Sequence, residues 1–286
     1  MLIKSLSLLF VVLLPSYVGA EAIEEDPEVQ VQCKKISDKL ASLSYMRCLS
    51  HKYEISGGQS VEGSPILIRS FHTAANKNEK DKTRHPRILL IGGIHGNEYA
   101  SISTVFKLIT LLDEHYTGSY HWQIVPLLNP DGLLQTPSSR TNADGVDLDR
   151  NFPTSGGDHN AVQYWEENTN RNPMYFPGKQ ALSEPESQWL VEKIEQYRPD
   201  AIITIHSPHN SRGYKSSNIK QSKIGAQYQQ SITTFPGSFN QYVGTRINIP
   251  ILTVELPYSD IRSTKTEINE IWENLVNWLN THLKSS

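Results

Sequence analysis

Several things are scarce in this sequence, and each scarcity removes a class of protein. Its 286 residues contain two cysteines, and no His or Cys spacing around them suggests a zinc ribbon. There is no basic stripe or patch: Lys and Arg are scattered, the formal net charge is -3, and no cluster of aromatic and basic residues stands out, which argues against a nucleic-acid binder. Internal repeats and long low-complexity linkers are absent. The composition suggests neither disorder nor a fibrous protein. The longest N-terminal apolar stretch, Leu6 to Leu14, is too short for a convincing membrane span.

What is present starts with that stretch. "MLIKSLSLLFVVLLPSYVGAEA" has an early Lys4, an apolar run, Pro15, then small residues around Ala20, the three regions of a secretory signal peptide. Cleavage is expected after Ala20 or Ala22, with an uncleaved anchor as the alternative. The two cysteines fit an exported protein. A disulfide between Cys33 and Cys48 would close a loop of about 15 residues and contribute roughly 3 kcal/mol; two free buried thiols are the other reading. The expected organisation is a signal peptide over residues 1–20, an N-terminal extension over 21–60 that carries the disulfide, and a catalytic domain over 61–286.

Hydrophobic patterning gives the elements. Val31 to Leu43 is amphipathic and predicted helical, and "SVEGSPILIRSF" alternates like a strand. "NKNEKDKTRHP" reads as a charged surface loop. "RILLI" is a short apolar run bounded by glycines, and "SISTVFKLITLLDEH" places Val105, Leu108, Ile109 and Leu112 on one helical face. "WQIVPLLNPDG" reads as a strand ending in a turn. "SEPESQWLVEKIEQYRPD" opens with a capping-box pattern at Ser183 and Glu186. "AIITIH" and "IPILTVELP" are further short buried strands, and "STKTEINEIWENLVNWLNTHL" closes the chain as an amphipathic helix. Strands alternating with helices imply an α/β fold: a single domain with a mixed, mostly parallel sheet covered by helices on both faces. Polar residues at the ends of such strands converge on one edge, the usual place for a site.

The strand "RILLI" runs into "GGIHGNE". His95 and Glu98 at its mouth could be two metal ligands, a helix N-terminus with a stray imidazole, or chance. His206, at the end of "AIITIH", supplies a third ligand of the His₂Glu type common in hydrolytic zinc sites. Taken alone, a strand-end His is usually a polar residue meeting solvent. That reading weakens with Glu255, because a carboxylate inside "ILTVELP" is costly to bury without a charged or hydrogen-bonding partner. The turn-rich segment "NPDGLLQTPSSRTNADGVDLDRNFP" carries Arg140 and Arg150, suited to forked recognition of a carboxylate or developing oxyanion. Either arginine could instead pair with Asp144, Asp147 or Asp149 to hold the loop.

Together, HxxE after an apolar strand, the later strand-end His, the DGVDLxRNFP loop and a Glu in the last strand resemble the zinc metallocarboxypeptidase family. "NPDG", "RTNADGVDLDRNFP", "SEPES" and "PGSF" resemble its murein peptide amidase branch, over roughly Ile88 to Pro257. The resemblance implies one zinc per chain held by His95, Glu98 and His206, an oxyanion-stabilising Arg140, a carboxylate-anchoring Arg150 and the catalytic carboxylate Glu255. It also implies an enzyme acting on peptidoglycan stem peptides at the γ-D-glutamyl–diaminopimelate amide; the signal peptide, which the cytoplasmic members of that branch lack, adds the expectation of export to a bacterial periplasm. The scattered charge and the short apolar stretch lead to the expectation of no nucleic-acid partner and, after leader removal, no stable membrane span. One position departs from the pattern: the family motif has Asn before the anchoring Arg, and this chain has Asp149. An ionised Asp accepts but cannot donate a hydrogen bond, so it would orient Arg150 or meet an ammonium group. Phe235, Ser238 and Tyr242 are pocket candidates by nearness to the last strand. A carboxypeptidase on ordinary peptides, an acyl-amino-acid deacylase and a silent peptidoglycan-binding module are the rival functions.

Overall fold

Parallel strands buried on both faces need apolar residues at every position, and two strands of this chain meet that requirement nearly end to end. The structure, a computed structural model, describes residues 26–72, 84–154, 159–207, 222–224, 227–229, 235–256 and 263–283. The expected leader, its cleavage point and most of the "NKNEKDKTRHP" stretch lie outside the described residues. In chain order the strands are β1 (Glu54–Gln59), β2 (Pro65–Phe71), β3 (Arg87–Ile91), β4 (His121–Val125), β5 (Ala201–His206), β6 (Ser222–Ile224), β7 (Gln227–Gln229) and β8 (Ile251–Glu255). They form one sheet in the order β1-β2-β4-β3-β5-β8-β7-β6. The neighbours β4, β3, β5 and β8 run parallel, and the flanking pairs are antiparallel.

Side chains on β3 alternate between two cores. Ile88 and Leu90 join a core with α1 (Pro27–Lys39), α2 (Tyr45–Ser50), α3 (Tyr99–His115) and α8 (Lys265–His282). Leu89 and Ile91 join a second core with α6 (Pro185–Tyr197). The sheet is therefore covered on both faces, the expected α/β architecture. Shorter helical segments are α4 (Pro130–Leu134), α5 (His159–Asn168) and α7 (Phe239–Gln241). No helix among the described residues is long and apolar enough to cross a membrane.

Local chemistry moves several boundaries away from the patterning. α1 starts at Pro27, ahead of the predicted Val31, because Asp26 accepts a bond from Glu28 N at 2.8 Å and Pro27 suits the first turn. Val31 is exposed, and the buried face runs through Val29, Cys33 and Ile36. The capping box expected at Ser183 and Glu186 does not form. The cap position is Glu184, which makes no side-chain cap bond, and Glu186 is drawn elsewhere, accepting from Val61 N and Asn142 Nδ2 at 3.3 Å each. A capping box does form at Thr264 and Glu267, opening α8. The Pro-Asp-Gly turn is helical, with Asn129 Oδ1 capping Gly132 N at 2.8 Å. β1, "EISGGQ", escapes prediction because it is polar and glycine-rich. Its Gly58 has no room for a Cβ, which would meet the Trp189 indole at 2.5 Å.

Cys33 and Cys48 are fully buried and joined in a disulfide that links α1 to α2 across 15 residues. A Cys33→Ser/Cys48→Ser variant is expected to lose about 3 kcal/mol of unfolding free energy in a guanidinium titration. An unchanged midpoint would mean that the bond adds nothing to the native state.

Glu186 gives a stability that depends on pH. It is buried near Asp131 and Glu184, and burial pushes its carboxyl up to about 7 from an ordinary 4.5. The folded chain thus keeps a proton that the unfolded chain has released, so the stability from this group is whole below 4.5 and is lost as pH rises through about 7. Melting curves across that range should show Glu186→Gln gaining on the wild type as pH rises. A constant gap would contradict the assignment.

Candidate active site

The carboxyl ends of β3, β5 and β8 lie at one edge of the sheet, and each delivers a polar residue there. After β3 the chain turns through Gly92 and Gly93 into His95-Gly96-Asn97-Glu98, and α3 begins at Tyr99. Gly96 packs against the backbone of α4, where a Cβ would overlap Gly132 and Leu133, so no side chain fits between the two polar residues at this approach. His206 ends β5 and stands in register with Glu255 at the end of β8.

His95, Glu98 and His206 converge. Their ligand atoms all lie within 4.8 Å of one another. His95 Nδ1 is 2.7 Å from Glu98 Oε1, and His206 Nδ1 is 3.3 Å from Glu98 Oε2, which also accepts from Ser207 N at 3.0 Å. All three are buried. Burial alone would neutralise them, yet the two imidazoles hold the Glu98 carboxyl well below the carboxylate range. Burial likewise opposes the charged form of His206, but Glu98 overrides it and the imidazole is pushed up to about 9. Two nitrogens and a carboxylate aimed at one point form a donor set suited to zinc.

Behind His95 stands Asp147, fully buried. Its Oδ1 is 3.0 Å from His95 Nε2, leaving His95 Nδ1 facing Glu98. Its Oδ2 accepts from Arg140 Nε and Arg150 Nε, each at 3.0 Å. Of the three acids that could have held the arginine loop, Asp147 takes both guanidinium groups. Arg140 Nη1 lies 3.2 Å from His95 Nδ1 and 3.7 Å from Glu98 Oε1, which puts the guanidinium at the edge of the donor set. The Arg150 guanidinium lies 4.7 Å from the Tyr175 ring centroid and 4.4 Å from that of Phe235. Asn142 holds the loop, its Oδ1 accepting from Val146 N at 3.0 Å and its Nδ2 donating to Glu184 at 2.6 Å.

Glu255 is half-buried beside His206. Burial raises its carboxyl pKa, the charge of His206 partly offsets this, and Asp149 adds to the rise. The remaining pocket candidates divide. Phe235 does meet Arg150. Ser238 caps α7, accepting from Gln241 N at 3.2 Å, and Tyr242 is a core residue whose ring stacks on Phe152 with centroids 5.6 Å apart.

A family model described as zinc carboxypeptidase matches residues 44–223. The chain belongs to the zinc carboxypeptidase family. Murein peptide amidase A of Vibrio campbellii is 29% identical over 209 residues, covering 71% of this chain and 78% of that protein. The crystal structure of a murein-tripeptide amidase from Escherichia coli O157 shares the fold at a TM-score of 0.54 and 24% identity, covering 79% of this chain and 92% of that one. Carboxypeptidase E of Caenorhabditis elegans is 33% identical over 126 residues, covering 35% of this chain and 25% of that protein.

Two residues of this zinc carboxypeptidase site had no assigned place in the sequence reading. Asp147 stood only as a possible loop partner, although its flanks, Val146 and Leu148, mark it as an acid that must be buried. Tyr175, in "NPMYFPG", carries no signal of its own and is recognised by the two guanidinium groups over its ring. Asp147→Asn keeps the shape but removes the charge shared by His95, Arg140 and Arg150. Its zinc affinity, measured by competition with a chelating dye, should fall by about 10- to 100-fold. Equal affinity would show that Asp147 does not support the ligand set.

Proposed function

We propose that this zinc carboxypeptidase family member is an amidase of peptidoglycan stem peptides. It hydrolyses the amide between γ-D-glutamate and meso-diaminopimelate after export to the bacterial periplasm. The observation that carries the substrate choice is the likeness to murein peptide amidase A, which spans 78% of that protein. The match to carboxypeptidase E spans 25% of its length. The leader-like N-terminus and the buried disulfide support export, since such bonds persist in oxidising compartments.

His95, Glu98 and His206 hold the metal in this reading. Zinc held there would supply Lewis acidity for the scissile carbonyl and would lower the pKa of a water toward about 7. Glu255 takes the proton of the attacking water and passes it to the leaving amine, the general base and then the general acid of the reaction. Arg140, at the edge of the ligand set, donates to the oxyanion as it forms. Arg150 spends Nε on Asp147 and turns its remaining N–H groups to the carboxylate of the leaving residue.

Glu255→Gln should abolish turnover while zinc content and melting temperature hold; substantial residual activity would place the base elsewhere. Arg140→Ala should lower kcat by about 10²- to 10³-fold with zinc retained. Mass spectrometry of zinc-loaded protein incubated with L-Ala-γ-D-Glu-meso-diaminopimelate should show release of diaminopimelate. Cleavage of an ordinary C-terminal peptide bond with no such release would assign the enzyme to general peptides.

A further inference from the structure

Two acids two residues apart on the arginine loop are used in opposite ways. Asp147 is saturated by His95, Arg140, Arg150 and the backbone N–H of Asp149. Asp149 is half-buried in the same short 3-10 turn, and its carboxylate makes no hydrogen bond or ion pair among the described residues. It does not orient Arg150, whose Nε goes to Asp147. Its backbone N–H donates to Asp147 Oδ1 at 3.2 Å, the same oxygen that meets His95 Nε2 at 3.0 Å, so Asp149 stands one carboxylate away from the ligand set, and its charge is felt at Arg140, His206 and Glu255.

Arg150, the next residue, is held by Asp147 and by the rings of Tyr175 and Phe235, and its other N–H groups make no hydrogen bond among the described residues. The loop therefore offers a cation and an anion on successive residues. A ligand ending in a carboxylate alone is attracted by one and repelled by the other. A ligand that carries an ammonium group as well satisfies both, and a carboxylate held without a partner is ready to receive it.

We propose that Asp149 is a specificity-determining residue that binds an ammonium group on the terminal residue of the substrate, so that the enzyme selects peptides ending in a diamino acid. The proposal rests on the function given above only for which diamino acid this is: diaminopimelate in stem peptides, lysine in ordinary ones. Replacing Asp149 by Asn removes the charge and keeps the size.

Zinc-loaded wild type and Asp149→Asn would be assayed on two substrate pairs, each differing by one amine. The first is L-Ala-γ-D-Glu-meso-diaminopimelate against the same tripeptide ending in 2-aminopimelate. The second is benzoylglycyl-lysine against benzoylglycyl-norleucine. In the wild type, loss of the amine should lower kcat/KM by about 10- to 100-fold, mainly through KM. In Asp149→Asn the ratio should collapse toward one, with KM raised for the amine-bearing member and lowered for the other. A wild-type ratio near one, or a variant that weakens both members alike, overturns the proposal. An amine-dependent ratio on the lysine pair alone sustains it and overturns the murein reading. Cleavage of the murein pair without amine dependence does the reverse. Calorimetry with free lysine, norleucine, diaminopimelate and 2-aminopimelate gives the same contrast without turnover, and equal binding within each pair overturns it.

Discussion

One buried carboxylate joins the parts of this site. Asp147 touches His95 Nε2 with one oxygen and two arginines with the other. Each contact would be expensive alone, since an unpaired buried charge costs several kcal/mol. Together they balance, and the balance fixes orientation more than it adds stability. His95 presents Nδ1 to Glu98 because Nε2 is engaged. Arg140 is drawn in toward the ligand set, and Arg150 is turned so that Tyr175 and Phe235 cover it. Loss of this one charge would loosen the His95–Glu98–His206 set and both arginines at once.

The sheet supplies the frame on which that carboxylate works. Three parallel strands end at one edge, and the register that pairs Ile91 with Thr204 and His206 with Glu255 delivers both histidines and the Glu255 carboxylate to the same place. The two cores that clamp the strands from opposite faces make this edge rigid. A close backbone approach at Gly96 seats the His95–Glu98 turn against α4. The loop from Arg140 to Arg150 is anchored from the far side, because Asn142 reaches Glu184 at the start of α6. The arginine loop therefore hangs from the same helix that packs the second core.

Much of this was legible in the residue order. The runs "RILLI" and "AIITIH" are apolar at nearly every position because both faces are covered; the first leads through Gly92-Gly93-Ile94 to His95 and the second ends in His206, the two histidines that the fold brings to the edge. His95, Glu98 and His206 were readable as one donor set because strand ends in an α/β sheet converge. The rest depended on contacts between residues distant in sequence. "EISGGQ" is a strand because it pairs with β2, with Trp189 packed against its Gly58, and nothing in its own composition says so. Glu186 fits a capping pattern in the sequence, but the backbone N–H of Val61 and the amide of Asn142 claim its carboxylate. Tyr242 lies close in sequence to the last strand, yet its ring belongs to the core beside Phe152. Val146 and Leu148 point to a buried Asp147, but that both guanidinium groups go to it and not to Asp144 or Asp149 depends on contacts in the folded loop.

The central claim is that His95, Glu98 and His206 form one zinc site on this edge, and zinc-edge anomalous diffraction tests it most directly. Crystals of the zinc-loaded protein should give one anomalous peak per chain, bonded to His95 Nδ1, Glu98 and His206 Nδ1, and the peak should vanish in His206→Ala. A peak held by other side chains, or one that survives that substitution, would contradict the account.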